Sequence, residues 1–203
     1  MIAALLALTS IQAVSASDYF PLQTGTKWTY RSESGGLSAT QIDEVGTKIE
    51  IDGREATPIV TKVNGRTVGT SYYRVDGDTV YLIAEDPKKP LVDPQPVLKV
   101  GATKQDWSFG GQTSFMGAGA TIDLKGTSSA PKARKVLDRQ IESIEVRLDM
   151  KVATSEALGM NGRQTSVYAK GIGLVELQSE QTVGKQKSKS NLRLLKFESP
   201  TSP

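Results

Sequence analysis

The chain has 203 residues, with 25 lysines and arginines against 22 aspartates and glutamates, a formal net charge of +3, and neither cysteine nor histidine. Without cysteine it cannot be a disulfide-stapled secreted scaffold, and it cannot carry the lipid of a bacterial lipoprotein, which is attached to a cysteine. Without histidine, Ser-His-Asp triads and histidine-bearing zinc sites are excluded. The small positive charge is too weak for a nucleic-acid-binding surface. We therefore expect no nucleic-acid partner, no metal site and no cofactor.

The first sixteen residues have the features of a secretory signal peptide. Residues 1–16 contain no charged side chain, residues 2–8 are apolar, and Val14-Ser15-Ala16 matches the small-residue pattern that precedes a cleavage site. The alternative is an uncleaved anchor, but the apolar run is shorter than the ~20 residues that a membrane-spanning helix needs. We therefore predict a signal peptide over residues 1–16, export to the periplasm or the medium, and no membrane span.

The rest of the chain predicts two similar β units. Residues 17–85 form the first unit and residues 97–198 the second, and each contains Asn-Gly-Arg, Thr-Ser-x-Tyr and Val-x-Leu in that order. The Asn-Gly pairs at 64–65 and 161–162 favour two-residue hairpin turns. Residues 86–96 contain four prolines and are expected to be an irregular connector. Residues 199–203 are expected to be a frayed tail.

The clearest strand is predicted over residues 144–152, where apolar and charged side chains alternate strictly. Its even positions are Ile, Val, Leu, Met and Val, and its odd positions are Glu, Arg, Asp and Lys. This alternation indicates a strand with one face buried and one face in water. It also favours an antiparallel sheet, because parallel strands are usually buried on both faces.

A glycine-rich stretch over residues 110–119 is expected to be irregular, and it contains the apolar pair Phe115 and Met116. An apolar pair on a loop can serve as a lid or as a docking knob for a partner. In the alternative interpretation, which we favour, both side chains pack into the core.

Two motifs resemble those of a family of uncharacterised bacterial exported proteins. Residues 20–30 match the opening motif F-P-L-x-x-G-x-x-W-x-Y, and residues 168–175 match the closing motif Y-A-x-G-[IV]-G-L-V. The resemblance spans most of the chain that follows the leader. It implies a β-rich extracytoplasmic domain whose shape is similar to the half-open barrel of the lipoprotein carriers LolA and LolB. It implies no particular activity.

Together these features predict an all-β fold in which two similar antiparallel meander units form one curved sheet or half-open barrel. We expect a non-enzymatic extracytoplasmic binding module that holds an apolar small molecule or a lipid on its concave face. The alternative is a structural or partner-binding protein of the bacterial envelope with a filled core. No residue is assigned a catalytic role.

Seven residues are candidates either to contact an apolar ligand or to pack the core: Trp28, Tyr30, Trp107, Phe109, Phe115, Met116 and Met150. The first four form an aromatic pair in each of the two units. Because aromatic side chains dominate core energetics, packing is the favoured interpretation for these four.

Overall fold

The computed structural model of the protein describes residues 14–115, 118–154 and 159–200. Strands make up 72% of the chain and helix 2%. The elements in chain order are α1 (Ala16–Tyr19), β1 (Lys27–Ser34), β2 (Leu37–Val45), β3 (Ile49–Ile51), β4 (Arg54–Val63), β5 (Arg66–Asp76), β6 (Thr79–Ala84), β7 (Gln95–Lys99), β8 (Gln105–Phe115), β9 (Ala118–Ser128), β10 (Lys132–Val136), β11 (Arg139–Thr154), β12 (Gly159–Ala169), β13 (Gly173–Val183) and β14 (Gln186–Glu198).

The strands form one sheet in the order β7-β6-β5-β4-β2-β1-β14-β13-β12-β11-β9-β8, with β3 paired to β4 and β10 to β11. Every strand pair in the described part of the chain is antiparallel, and β1 and β14 lie side by side. The sheet curls into one nearly closed barrel whose seam, between β7 and β8, is unsealed. The prediction of an all-β fold built as one curved sheet or half-open barrel is therefore confirmed.

The seam is bridged by the proline-rich segment 86–96. The backbone N–H of Gln112, on β8, donates to Oδ2 of Asp93 at 3.3 Å. Gly111 permits this approach, because a Cβ there would lie 3.2 Å from the Cβ of Asp93. The last two residues of the segment belong to β7, which is an edge strand. Proline is compatible with that position because one side of an edge strand has no partner to bond.

The alternating segment 144–152 lies within β11, as predicted. Ile144, Val146 and Leu148 are buried in the barrel interior, whereas Arg147 and Asp149 are exposed on the outer face. Successive side chains on this strand therefore point alternately into the barrel and out to solvent.

One of the two predicted Asn-Gly turns is present and the other is wrong. Residues 64–65 join β4 to β5, with φ of +48° and +80°. Residues 161–162 lie inside β12, where Gly162 is opposite Met150 on β11 and Gln181 on β13. A Cβ on Gly162 would lie 3.3 Å from Cε of Met150, so this glycine leaves room for the methionine across the strand pair.

The prediction that residues 110–119 are irregular is also wrong. β8 continues to Phe115 and β9 begins at Ala118, and these two residues are paired. Glycine is permissive within a strand, and at Gly111 a Cβ would meet the ring of Phe109 two residues earlier. Met116 lies outside the described residues.

A short N-terminal segment is anchored to two hairpin turns at one end of the barrel. The backbone N–H of Ala16 donates to the carbonyl of Gly77, at 3.1 Å, and that of Gly171 donates to the carbonyl of Asp18, at 2.6 Å. Ala16 and Tyr19 have no exposed surface. Helix α1 therefore covers the barrel end formed by the β5–β6 and β12–β13 turns.

The two β-hairpins at that end share a structural irregularity. The register of β5 against β6 shifts between Tyr72 and Tyr73, and that of β12 against β13 shifts between Val167 and Tyr168. Such a shift is a β-bulge, which bends a strand and re-aims the following side chain. The division into two similar units stays a prediction, but both bulges fall at the matching tyrosine of the two units.

Candidate ligand cavity

The barrel interior contains a cavity of about 280 Å³. It lies between two buried hydrophobic clusters, and Phe20, Tyr73 and Leu174 pack against both of them. Its wall is formed by Phe20, Trp28, Tyr30, Asp43, Ile59, Thr61, Ser71, Tyr73, Gln95, Val97, Leu148, Met150, Gln164, Tyr168, Gly173, Leu174 and Leu177. The residues come from strands on both sides of the seam, so the cavity exists only because the sheet closes.

Five aromatic side chains line the cavity, and three of them are in contact. The ring of Phe20 meets that of Tyr73 edge-on, at a centroid distance of 5.1 Å, and that of Tyr168 in a tilted arrangement at 6.2 Å. These are the separations at which aromatic pairs attract each other. Phe20 comes from the segment after α1, and the two tyrosines follow the bulges in β5 and β12.

The other two aromatic side chains are held in place by hydrogen bonds to the β13 end of the barrel. The indole Nε1 of Trp28 donates to the carbonyl of Ile172 at 2.5 Å, and the hydroxyl of Tyr30 donates to that of Leu174 at 3.1 Å. Gly173, with φ of +97°, lies between the two acceptors and would carry a Cβ only 3.3 Å from the Trp28 indole. Both rings therefore have fixed orientations, and their polar atoms already have partners.

The phenol groups of the cavity remain protonated at neutral pH. Burial raises the pKa of Tyr73 to about 12. Burial likewise raises the pKa values of Tyr30 and Tyr168 well above the ordinary value for a phenol. These side chains are therefore neutral rings with hydroxyl groups rather than bases or nucleophiles.

Asp43 on β2 is the one acidic side chain in the described lining of the cavity. It lies opposite Trp28 on β1 and Thr61 on β4. The side-chain amide of Gln41 donates to its two carboxylate oxygens, at 3.1 and 3.2 Å. Burial raises the pKa of Asp43, and the hydrogen bonds from Thr61 and Gln41 oppose that rise. The carboxylate thus has neutral partners only, and no lysine or arginine is among the described lining residues.

The polar part of the lining continues along β12. The side-chain amide of Gln164 donates to the hydroxyl of Ser166 at 2.9 Å, and Gln164 is paired across the sheet with Ser179. Gln164 and Thr61 are half-buried, whereas Tyr30 is 2% exposed. The lining therefore combines the buried ring of Tyr30 with half-buried polar side chains.

The candidates predicted from the sequence fall into three groups. Trp28, Tyr30 and Met150 line the cavity. Trp107 and Phe109 pack against the cluster that contains α1 and β11 and are not part of the described lining. The backbone of Phe115 ends β8, and Met116 lies outside the described residues. A role in ligand binding stays a prediction for the whole set.

Asp43 was missed by the sequence analysis, although one signal could have found it. Strand alternation places position 43 on the same face as Val45, which is 1% exposed. A carboxylate two residues before a buried valine, on a strand, is a candidate for an inward-facing charge. Closure of the barrel, which brings Tyr73 and Tyr168 close to this position, has no comparable local signal.

A larger hollow of about 750 Å³ lies on the outer face of β8, β9, β11, β12 and β13. Exposed polar and charged side chains form part of its walls, among them Arg163 and Asp149, which form an ion pair at 2.8 Å, and Phe109, Leu124 and Met150 also line it. Solvated, mutually paired charges of this kind contribute little binding energy. The inner cavity, which lies within the barrel and is lined by five aromatic side chains, is the stronger candidate for a ligand site.

Within residues 14–115, 118–154 and 159–200, no group of three or more acidic, histidine or cysteine side chains is placed to hold a metal ion. No helix in the described part of the chain is both long and apolar enough to cross a membrane.

Comparison with known proteins gives similarity at the level of structure only. No family model matches the chain, and no curated protein matches it in sequence. A proposed lipoprotein from Parabacteroides distasonis superposes with a TM-score of 0.50 at 11% identity, over 89% of this chain and 98% of that one. The similarity concerns the fold alone.

Two further solved structures are less similar. A proposed exported protein with a YmcC-like fold from Bacteroides fragilis has a TM-score of 0.48 at 14% identity, over 92% of this chain and 100% of that one. The hypothetical lipoprotein YmcC from Escherichia coli has a TM-score of 0.36 at 13% identity, over 88% of this chain and 87% of that one.

Proposed function

We propose that the protein is an extracytoplasmic, non-enzymatic binding protein that holds a small ligand with an apolar body in its barrel cavity. The observation that carries the proposal is the unfilled aromatic cavity of about 280 Å³, near the lower end of the ~300–1,000 Å³ range of small-molecule sites. A space of this size suits a small molecule or one part of a lipid rather than a whole membrane lipid.

Export is supported from two directions. Residues 1–16 have the composition of a secretory leader. The structurally similar proteins are described as exported proteins or lipoproteins.

A binding role suits the cavity better than a catalytic one. The ionisable groups in its described lining are Asp43 and three tyrosines, Tyr30, Tyr73 and Tyr168. Glycoside hydrolysis requires two carboxyl groups, and the raised pKa values of the tyrosines make the phenols poor bases at neutral pH. A single carboxylate beside neutral rings is a recognition element.

The proposal is tested with a neutral fluorescent probe, N-phenyl-1-naphthylamine, whose emission rises in apolar surroundings. Leu177 lines the cavity, so Leu177→Trp should fill part of it. Leu37→Trp is the matched control, because Leu37 is 79% exposed. We expect the wild type and Leu37→Trp to bind the probe equally and Leu177→Trp to bind it at least about tenfold more weakly. Equal binding by all three proteins would overturn the proposal.

A second candidate function is the docking of a partner protein along strand β8. In the described part of the sheet β8 is paired to β9 only, and its outer edge has no strand partner along the seam, where Gln112 contacts Asp93. An open edge can accept an added strand from another protein. Cross-linking from a photoreactive residue at Gln112 in envelope preparations would capture such a partner, whereas ligand binding in the cavity predicts no dependence on that edge.

A further inference from the structure

The electrostatic character of the cavity is unusual for a purely apolar site. Asp43 is the one charged side chain among the described lining residues, and its hydrogen-bond partners there, Gln41 and Thr61, are neutral. An unpaired carboxylate in a partly buried site is costly, because water solvates it less and no opposite charge compensates. A positively charged ligand group would supply the missing compensation.

The aromatic lining favours the same kind of ligand. Trp28 is directly opposite Asp43 across the β1–β2 pair, and Phe20, Tyr73 and Tyr168 form a contacting group in the same cavity. The faces of aromatic rings carry partial negative charge and attract cations, and cages of such rings are a known means of binding ammonium groups. The indole of Trp28 is fixed by its hydrogen bond to Ile172, so its ring is oriented before any ligand arrives.

We propose that the cavity selects a small cationic amine, in which an ammonium nitrogen lies beside Asp43 and the apolar body lies against the aromatic rings. The inference rests on the proposed binding function and adds the chemical class of the ligand. A cationic ligand is a different expectation from a neutral hydrocarbon or an anionic fatty acid. Asp43 would repel the carboxylate of a fatty acid, and a hydrocarbon would provide no charge to compensate that of Asp43.

The test compares two molecules of the same shape that differ in charge. Phenyltrimethylammonium is cationic, and tert-butylbenzene is its neutral isostere. The affinity of each is measured by its displacement of the bound N-phenyl-1-naphthylamine probe. In the wild-type mature chain, the cation should bind at least about tenfold more tightly than the isostere, the range that ring and carboxylate contacts with a cation support.

Two variants assign the preference to Asp43. Asp43→Asn keeps the size of the side chain and removes its charge, so the cation should lose most of its advantage and keep only the part that the rings provide, while tert-butylbenzene affinity stays within about twofold. Retained binding of the neutral molecule shows that the variant cavity is intact. Asp123→Asn removes the same charge from an exposed position on the outer face and should leave both affinities unchanged.

The outcomes separate the ligand class from the binding function. A wild-type protein that binds both molecules equally, or the neutral one better, would overturn the cationic ligand and leave the cavity as a binding site. A cation preference that is undiminished in Asp43→Asn would also overturn the assignment. Failure of the probe and of both isosteres to bind would reject the proposed binding function itself.

Discussion

The N-terminal residue of the exported chain should have a measurable effect on stability. The sequence pattern predicts cleavage after Ala16, yet Ala16 has no exposed surface, and its N–H bonds the carbonyl of Gly77 at 3.1 Å. Its own carbonyl accepts from the N–H of Phe20 at 2.9 Å, which closes the single turn of α1. A chain that begins at Ser17 would lack all of these interactions.

The size of the effect follows from the groups removed. Burial of the Ala16 methyl group contributes about 0.8 kcal/mol, and each hydrogen bond about 0.5–1.5 kcal/mol. Chains that begin at Ser17 should therefore be less stable by about 2 kcal/mol than chains that begin at Ala16, which corresponds to a lower melting temperature by about 4–8 °C. Urea denaturation of the two chains, each released from a cleavable tag, measures the difference directly.

Two results would refute this reasoning. Equal stability of the two chains would mean that the contacts of Ala16 contribute nothing to the folded state. A chain that begins at Val14 and is much more stable than one that begins at Ala16 would place the important contacts further upstream. The mass of the protein exported by its own host would then identify which N-terminus is used.

Three further substitutions test other parts of the structure. Burial raises the pKa of Asp43. The stability associated with this raised pKa is therefore present below the unfolded-state value of about 3.9 and is lost as pH rises through the folded-state pKa. Asp43→Asn should thus raise the urea midpoint at pH 7 more than near pH 3, and equal shifts at both pH values would contradict this. Gly126→Ala should lower the free energy of unfolding by about 1–3 kcal/mol and alter the fluorescence of Trp107, because the indole occupies the space of the new Cβ. The control Gly119→Ala, on the same strand, has open space and should do neither. A Gly126→Ala variant with unchanged stability and fluorescence would contradict the contact. Ile144→Ala should cost about 2–5 kcal/mol in chemical denaturation, since this side chain is 1% exposed, and a loss well below 1 kcal/mol would show that β11 does not face the core.

Local patterns predicted strand structure where the side chains themselves carry the signal. The alternation from Ile144 onwards identified β11 because one face of that strand is in water and the other in the core. The pattern gave no information on which strands are neighbours, because pairing such as that of β1 with β14 depends on contacts between distant parts of the chain.

Glycine was the main source of error. Asn-Gly at 64–65 and at 161–162 have the same local preference, but the second pair lies mid-strand because Met150 on the adjacent strand needs the space above Gly162. The glycines at 110 and 111 likewise belong to β8 and not to a loop. At Gly111 and Gly162 a neighbouring side chain, that of Phe109 or Met150, lies close to the space that a Cβ would take.

The candidate site was predicted in part. Trp28, Tyr30 and Met150 were named as candidates and line the cavity. Asp43 was not, because its importance depends on the assembled cavity, whose described lining contains no lysine or arginine. The chemical character of the cavity is therefore a property of the fold rather than of any single motif.

The most direct test of ligand binding is native mass spectrometry of the protein purified without detergent from the envelope fraction of its own host. Collisional release should yield a small cationic molecule from the wild type, and much less of it from Leu177→Trp, in which the cavity is partly filled. If each protein instead appears at the mass of its own polypeptide, with no released molecule, the result would contradict a ligand in the cavity and favour a partner-binding role for the barrel.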